Sequence, residues 1–134
     1  MYTLTIVTPE KVLFEDEVIS IVAPGSEGYL GVLSDHAPLI TGLVPGKLTV
    51  KDKEGTETIF SLSGGFLEVS NNVATILADA VEPKEMINVE RAREALKRAK
   101  ERLQTKSPEI DVARAQAALS RALSRIKVYE ESNP

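Results

Sequence analysis

The chain has 134 residues, of which 43% are hydrophobic and 27% charged, a size and composition typical of one compact globular unit. It contains no cysteine and a single histidine, His36, which excludes disulfides and thiolate chemistry and removes most metal-site and acid–base possibilities. No apolar run approaches the ~20 residues that cross a bilayer, and the start lacks a signal peptide's basic and apolar blocks, so we expect a soluble, unexported protein.

Charge is unevenly distributed along the chain. Residues 1–81 carry four lysines and eleven carboxylates, a net charge of −7, whereas residues 82–134 carry twelve basic and nine acidic groups, a net charge of +3. All eight glycines and five of the six aromatic residues lie in the first part. The sequence therefore predicts two parts of different secondary structure, a domain over residues 1–83 and a second over residues 84–134.

The first part shows the period-two alternation of β-strands. Runs rich in β-branched and aromatic residues are separated by short segments of glycine, proline, asparagine and serine. Because these runs are short and have no helical crossover between them, they predict an antiparallel β-sandwich, or flattened barrel. The predicted strands cover residues 4–7, 18–23, 47–51, 58–62 and 73–78.

After Pro83 the hydrophobic period changes to about 3.6 residues, which is typical of amphipathic helices. Between two apolar stripes, Ser107 can cap a second helix that begins at Pro108, with Glu109 and Asp111 near the positive end of its dipole. The predicted fold class is therefore α+β, a β-sandwich followed by a two-helix antiparallel hairpin. The stripes are Ala92, Ala95, Leu96, Ala99 and Leu103, then Val112, Ala115, Leu119, Ala122, Ile126 and Tyr129.

Alanine dominates the predicted inner faces of the two helices. At about 0.8 kcal/mol for each buried methyl-sized group, six alanine side chains supply only a few kcal/mol: Ala92, Ala95, Ala99, Ala115, Ala118 and Ala122. Isolated helices of ~15 residues are marginal in water. We therefore expect the hairpin to need a partner surface: the sandwich, another protein, or each in turn.

No enzyme motif is complete in this sequence. The Ser63-Gly64-Gly65 segment lacks the spacing of a nucleophile elbow, and only His36 is available to activate a serine. Asp79, Glu82 and Glu85 are too few for a cage of oxygen ligands around a metal ion. The acidic net charge and the interleaving of arginine with glutamate disfavour nucleic acid. We interpret these features as turns and solvated charges, and His36 as a loop hydrogen-bonding or interface residue.

Four arginines of the predicted hairpin indicate ligand binding. Arg91 and Arg98 share one face of the first helix, and Arg121 and Arg125 share one face of the second. In an antiparallel hairpin that turns near residue 106, Arg91, Arg121 and Arg125 converge at the open end. Such a cluster can bind a polyanion, for example a nucleoside triphosphate, through charge-assisted hydrogen bonds. Alternatively, the arginines bind no ligand and either lie in solvent or pair with Glu82, Glu90 and Glu94.

Three segments of the first part carry recognisable motifs. Residues 28–41 read G-Y-L-G-V-L-S-D-H-A-P-L-I-T, residues 63–69 read S-G-G-F-L-E-V, and residues 75–80 read T-I-L-A-D-A. Together with the I-V-T-P entry at residues 6–9 and the order of sandwich and hairpin, they resemble the epsilon subunit of bacterial F-type ATP synthases over essentially the whole chain. The resemblance implies a non-catalytic rotor subunit of the central stalk that couples rotation of the c-ring to the catalytic head through the gamma subunit.

The resemblance also implies a regulatory hairpin. Folded against the sandwich, the helices permit ATP hydrolysis; extended along gamma, they reach the alpha and beta subunits of the head and inhibit it. The subunit is expected at the cytoplasmic face of the cell membrane, as a peripheral part of the complex without membrane insertion. The alternatives are a purely structural coupler without a nucleotide switch, and a nucleotide-sensing module.

Some members of this family bind ATP through an I-D-x-x-R-A motif, an upstream glutamate and further arginines. Here residues 87–92 read I-N-V-E-R-A, so Asn88 replaces the aspartate and keeps a helix-capping side chain while losing a charge. The resemblance thus implies ATP as a regulatory ligand, with no other cofactor and no metal. The implied site comprises Glu82, Ile87, Asn88, Arg91, Ala92, Arg98, Arg121 and Arg125.

The resemblance further implies that the loop with the G-x-L-G and H-A-P segments contacts the c-ring or the gamma subunit. Tyr29, Leu30 and His36 are the candidate partner contacts. Tyr29 departs from the acidic or amide residue often found at its position in the family. Its ring still offers apolar area and one hydrogen-bond donor, as interface residues do.

Overall fold

The computed structural model describes residues 1–105 and 110–132. Within these residues a β-sheet comes first and two helices follow, so the predicted α+β class is confirmed. A short 3-10 turn, Lys84–Met86, joins the two parts. The strands are β1 (Tyr2–Val7), β2 (Val12–Gly25), β3 (Gly28–Val32), β4 (Leu39–Leu43), β5 (Gly46–Asp52), β6 (Glu57–Leu62), β7 (Gly65–Ser70), β8 (Val73–Ala78) and β9 (Val81–Pro83), and the helices are α1 (Val89–Gln104) and α2 (Val112–Ser132).

The described strands form one continuous sheet that folds over on itself. Its order is β1-β8-β7-β4-β2-β5-β6-β9, β3 pairs with β2, and β1 also pairs with β2. The first half of the long strand β2 pairs with β1, and its second half pairs with β3 and β5. Strand β2 therefore connects the two layers of the sandwich. The strands that periodicity did not predict are short or contain glycine, which weakens the β signal.

The expectation of antiparallel pairing throughout is wrong at one place. Strands β1 and β8 are parallel, with Thr3 opposite Val73 and Val7 opposite Leu77. Parallel neighbours need a long connection, and here most of the sandwich supplies it. Alternation of side chains along a strand does not specify the direction of its neighbour, so the sequence pattern could not reveal this pairing.

The core of the sandwich consists of large aliphatic side chains. Leu4, Ile6, Leu48, Leu67 and Ile76 are completely buried. Tyr2 is also buried, and its hydroxyl donates a 2.7 Å hydrogen bond to the Val32 carbonyl oxygen. Burial raises the pKa of Tyr2 to about 12, because the phenolate would be poorly solvated there.

The helical hairpin has a much leaner interior. Helix α2 contacts β5, β6 and the 3-10 turn, whereas α1 packs mainly against α2. These contacts agree with the expectation that the hairpin has an alanine-rich interior and packs against a second surface. The buried side chains in the two helices are Ala92, Ala99, Ala115, Ala122, Ser124 and Val128.

Each helix begins at a side-chain cap. The Asn88 side-chain oxygen accepts a 3.1 Å hydrogen bond from the Arg91 backbone amide. In α2, Oδ1 of Asp111 accepts one of 3.0 Å from the Arg114 amide. The predicted cap Ser107 and first helical residue Pro108 lie outside the described residues, and α2 spans Val112–Ser132. Asp111 is therefore the cap of α2, because its carboxylate satisfies an amide of the first turn.

Candidate functional site

A cavity of about 240 Å³ lies where the 3-10 turn, α1 and α2 meet. It contains six of the eight residues predicted to bind ATP. Residues at three- and four-residue spacing on α1 contribute one wall, since such spacing places side chains on one helix face. The lining residues are Glu82, Met86, Asn88, Arg91, Ala92, Ala95, Arg98 and Arg125.

The charges of this cavity favour an anion. Nε of Arg125 lies 3.6 Å from Oε1 of Glu82, and both side chains are about one-third exposed. Among residues 1–105 and 110–132, no carboxylate oxygen lies within 4.0 Å of the guanidinium nitrogens of Arg91 or Arg98. Two cationic groups thus remain without a carboxylate partner in a concave site, which suits a multiply charged ligand such as a polyphosphate.

The alternative pairing of the arginines with nearby glutamates holds in the described residues only for Arg125. Arg93, which is on the same helix as Arg91, pairs instead with Glu130 of α2 at 3.7 Å. Arg93 does not line the cavity, so Arg91 and Arg93 differ in environment although they are two residues apart.

Arg121 and Ile87 are not brought into the cavity. Arg121 lines a narrow crevice shared with Glu82 and Arg125, of only about 10 Å³. The cavity therefore brings together Arg91, Arg98 and Arg125, and Arg121 lines an adjacent crevice that shares Glu82 and Arg125 with it. A four-residue step on a helix rises ~6 Å and turns by ~40°, enough to separate two neighbours on one face. The Ile87 amide donates to the Lys84 carbonyl oxygen and closes the 3-10 turn.

The three residues predicted to contact partner subunits differ in their surroundings and in their exposure. The Tyr29 hydroxyl, on a half-exposed side chain, accepts a 3.2 Å hydrogen bond from the Lys47 amide at the start of β5. Leu30 packs against the sandwich core. Nδ1 of the half-buried His36 donates to the Ala37 carbonyl oxygen at 2.7 Å. Tyr29 and His36 thus remain available on the surface, while Leu30 is engaged mainly in the interior.

An exposed apolar row crosses four strands of the sandwich, and the sequence analysis missed it. Val12 lies opposite Val7, Val7 opposite Leu77, and Leu77 opposite Phe66. Phe66 is 60% exposed and Leu77 51% exposed. A cavity of about 440 Å³ opens beside them. A signal existed in the sequence: apolar residues in both phases of β7 and β8 leave one set facing outward.

The comparisons with known proteins agree with this architecture. The family described as "ATP synthase, Delta/Epsilon chain, beta-sandwich domain" matches residues 1–84, and "ATP synthase, Delta/Epsilon chain, long alpha-helix domain" matches residues 85–130. A protein of Moorella thermoacetica, "ATP synthase epsilon chain", is 51% identical over 124 residues, 92% of each chain. One of the same name from Desulforamulus reducens is 50% identical over 127 residues, 95% of this chain and 96% of its own.

Solved structures are similar in fold. A chain of the Euglena gracilis mitochondrial ATP synthase, from a structure of its OSCP, F1 and c-ring, matches with a TM-score of 0.76 and 27% identity, covering 96% of this chain and 78% of its own. A chain from the central stalk and c-ring of the Tetrahymena thermophila mitochondrial ATP synthase matches with a TM-score of 0.62 at 17% identity, covering 98% and 96%. The second likeness concerns the fold alone.

A β-sandwich joined to a helical part is the architecture that the two matching family models together describe, and in this chain an arginine-lined cavity lies at the junction. The chain belongs to the delta/epsilon family of ATP synthase chains. It is a non-catalytic chain of such a complex. Neither helix, over its described residues, is long and apolar enough to cross a membrane.

Proposed function

We propose that this chain is a central-stalk rotor subunit that couples rotation of the c-ring to the catalytic head through the gamma subunit. We further propose that its hairpin inhibits ATP hydrolysis when it extends, and that ATP bound to the folded hairpin opposes that extension. The subunit would then be peripheral, at the cytoplasmic face of the membrane. This proposal rests on the contrast between a sandwich with a large aliphatic core and a hairpin whose buried side chains are mostly alanine.

The apolar row supports a permanent partner on the sandwich. Val12, Phe66 and Leu77 are exposed large side chains on one face, and such patches mark protein–protein contacts. We assign this face to the gamma subunit. The loop after β3, with the 64%-exposed Leu33 and with His36, is a separate surface suited to the c-ring.

The attachment of the hairpin supports a reversible switch. Only α2 makes extensive contact with the sandwich among the described residues, and the buried side chains of the hairpin are mostly alanine. Such an interface keeps the docked and extended states within a few kcal/mol of each other, which a ligand needs in order to choose between them.

The cavity supports ATP as that ligand. Its walls come from Glu82 of β9, from α1 and from Arg125 of α2, so a polyanion bound there would link all three and stabilise the docked state. The volume, about 240 Å³, is smaller than the ~300–1,000 Å³ of most ligand pockets. We therefore assign the phosphate groups to the cavity and leave the base at its rim.

The inhibitory role is tested in the assembled ATP synthase. Rates of ATP hydrolysis and synthesis are compared among complexes with the full chain, with a chain that ends at residue 83, and with no copy of this chain. We expect the shortened chain to assemble, to support rotation-coupled synthesis, and to give faster ATP hydrolysis than the full chain. Equal hydrolysis with the full and shortened chains would instead make this protein a purely structural coupler.

The ATP site is tested by calorimetry on the isolated full chain. We expect saturable binding that Arg91→Ala and Arg98→Ala each weaken roughly tenfold, about the worth of one charge-assisted hydrogen bond. Arg93→Ala is the matched control, because Arg93 is on α1 but outside the cavity. The absence of heat at millimolar ATP would refute the switch. Binding without any effect of ATP on hydrolysis would favour a nucleotide-sensing module.

Asn88→Asp refines the site. Both side chains cap a helix, so the fold should persist, and the added carboxylate changes only the charge near the nucleotide. Tighter ATP binding in the variant is expected if residue 88 contacts the ligand. Unchanged or weaker binding would limit Asn88 to its role as the cap of α1.

A further inference from the structure

Two buried hydroxyl groups meet where the hairpin contacts the sandwich. Ser61 on β6 is 5% exposed and Ser124 on α2 is 3% exposed, and their Oγ atoms are 3.1 Å apart. The Ser124 hydroxyl also lies 2.9 Å from the carbonyl oxygen of Leu62 and 3.5 Å from that of Gly46. These contacts span more than 60 residues of sequence and join the two parts of the molecule.

The distances define a short chain of hydrogen bonds. Each hydroxyl has one proton, and a carbonyl oxygen can only accept. The Ser124 hydroxyl therefore donates to Leu62, its shorter carbonyl contact, and the Ser61 hydroxyl donates to Ser124. Both buried hydroxyls are satisfied in the docked hairpin, and Gly46 at 3.5 Å is at most a weak second acceptor.

We propose that the Ser61–Ser124 hydroxyl pair is a latch that sets how readily the hairpin leaves the sandwich. This inference rests on the proposed function, in which the hairpin undocks. When α2 moves away, both hydroxyls hydrate freely, so release leaves no large apolar surface at this point. When the Ser124 hydroxyl alone is removed, the buried Ser61 hydroxyl loses its acceptor in the docked state, which favours release; when Ser61 alone is removed, Ser124 still donates to Leu62.

Two ion pairs also link α2 to the sandwich side, and they are weaker candidates. Lys47 lies 3.9 Å from Glu131, and Arg125 lies 3.6 Å from Glu82, with all four side chains about 30–40% exposed. Exposed ion pairs contribute little and are screened by salt. The hydroxyl pair is buried, directional and independent of ionic strength, so it is better suited than these two ion pairs to set the position of α2.

The sequence of α2 provides a matched control. Residues 118–121 and 122–125 both read A-L-S-R, so Ser120 precedes Ser124 by one helical turn in the same local context. Ser120 lines a groove beside Asp79 and has no hydrogen bond to the sandwich within the described residues. Ser120→Ala and Ser124→Ala therefore make the same chemical change, and only one of them removes the latch.

A reporter thiol can measure release, because the chain has no cysteine of its own. Val128 is fully buried one turn after Ser124, and Val128→Cys changes its size little. The labelling rate of this thiol in the full chain then reports how often α2 opens. We expect Ser124→Ala to raise that rate about tenfold and Ser120→Ala to change it less than twofold. Equal rates in the two variants would overturn the latch.

Two further measurements guard against a general loss of structure. Amide exchange in β7 and β8 should stay unchanged in Ser124→Ala, and a parallel rise there would overturn a local release. The variants Ser61→Ala, Ser124→Ala and their combination form a double-mutant cycle. We expect the double variant to open less than the product of the two single effects, because Ser61→Ala removes the hydroxyl that Ser124→Ala leaves without an acceptor. Strict independence of the two would also overturn the latch.

The outcome separates this inference from the proposed function. If Ser124→Ala speeds labelling and also strengthens inhibition of hydrolysis in the assembled complex, both stand. If labelling rises while hydrolysis is unaffected, the latch stands and the inhibitory role of the hairpin fails.

Discussion

The sandwich and the hairpin differ in what holds them together. In the sandwich, leucine, isoleucine and valine side chains are fully buried between paired strands. In the hairpin, four of the six buried side chains are alanine, and one is a serine that needs a partner across the interface. Stability is therefore concentrated in the first 83 residues. The proposed switch relies on this contrast, because it requires the second part to change position without unfolding the first.

The largest expected effect lies in the sandwich core. Ile76→Ala removes a fully buried side chain of β8 and should lower the free energy of unfolding by about 2–5 kcal/mol. Leu77→Ala, at the next position on the same strand, is the control because its side chain is half exposed, and we expect a loss below ~0.5 kcal/mol. Urea denaturation measures both. Similar losses in the two variants would contradict the assigned faces of β8.

High pH should weaken the sandwich through Tyr2. Its pKa is raised from 10.0 to about 12 in the folded chain, so between these values the unfolded chain has lost the proton that the folded chain keeps. Stability is thus full below pH 10 and falls as pH rises toward 12, by at most about 2–3 kcal/mol. Urea midpoints across this range measure it. An equally steep decline in Tyr2→Phe would assign the effect to other groups.

Overpacking should affect the hairpin alone. Ala122→Leu inserts a larger side chain at a position that is 1% exposed, which typically costs about 1–3 kcal/mol. We expect faster amide exchange throughout α1 and α2 with no change in β8. Leu123→Ala, a change at the neighbouring half-exposed position, is the control and should have little effect. Loss of protection in β8 as well would show that the two parts unfold together.

The smallest expected effect concerns the start of α1. Asn88→Ala removes the side-chain acceptor for the Arg91 amide and should destabilise the helix by about 1 kcal/mol. Asn88→Asp keeps that acceptor and should leave the helix intact. Amide exchange of residues 89–92 distinguishes the variants. Equal exchange in both would mean that the cap contributes nothing measurable to the hairpin.

The sequence by itself determined the class of the fold and most of the residues that line the cavity at the junction. Alternating apolar residues require strands, and a 3.6-residue period after Pro83 requires helices, because each pattern places its apolar side chains on one face only in that conformation. Helical spacing likewise placed Arg91 and Arg98 on one face of α1, and the N-cap preference of asparagine identified the start of that helix. These are local properties, and local sequence specifies them.

Only the tertiary structure decided which elements meet. The parallel pairing of β1 with β8, the choice of Arg98 over Arg121 for the cavity, and the contact of Ser61 with Ser124 all depend on how distant segments pack. Neither Ser61 nor Ser124 has a distinctive sequence context, since Ser120 lies in an A-L-S-R segment identical to that of Ser124 but makes no such contact in the described part of the chain. The physical reason is that long-range contacts follow from the shape of the whole core, which no single periodic pattern encodes.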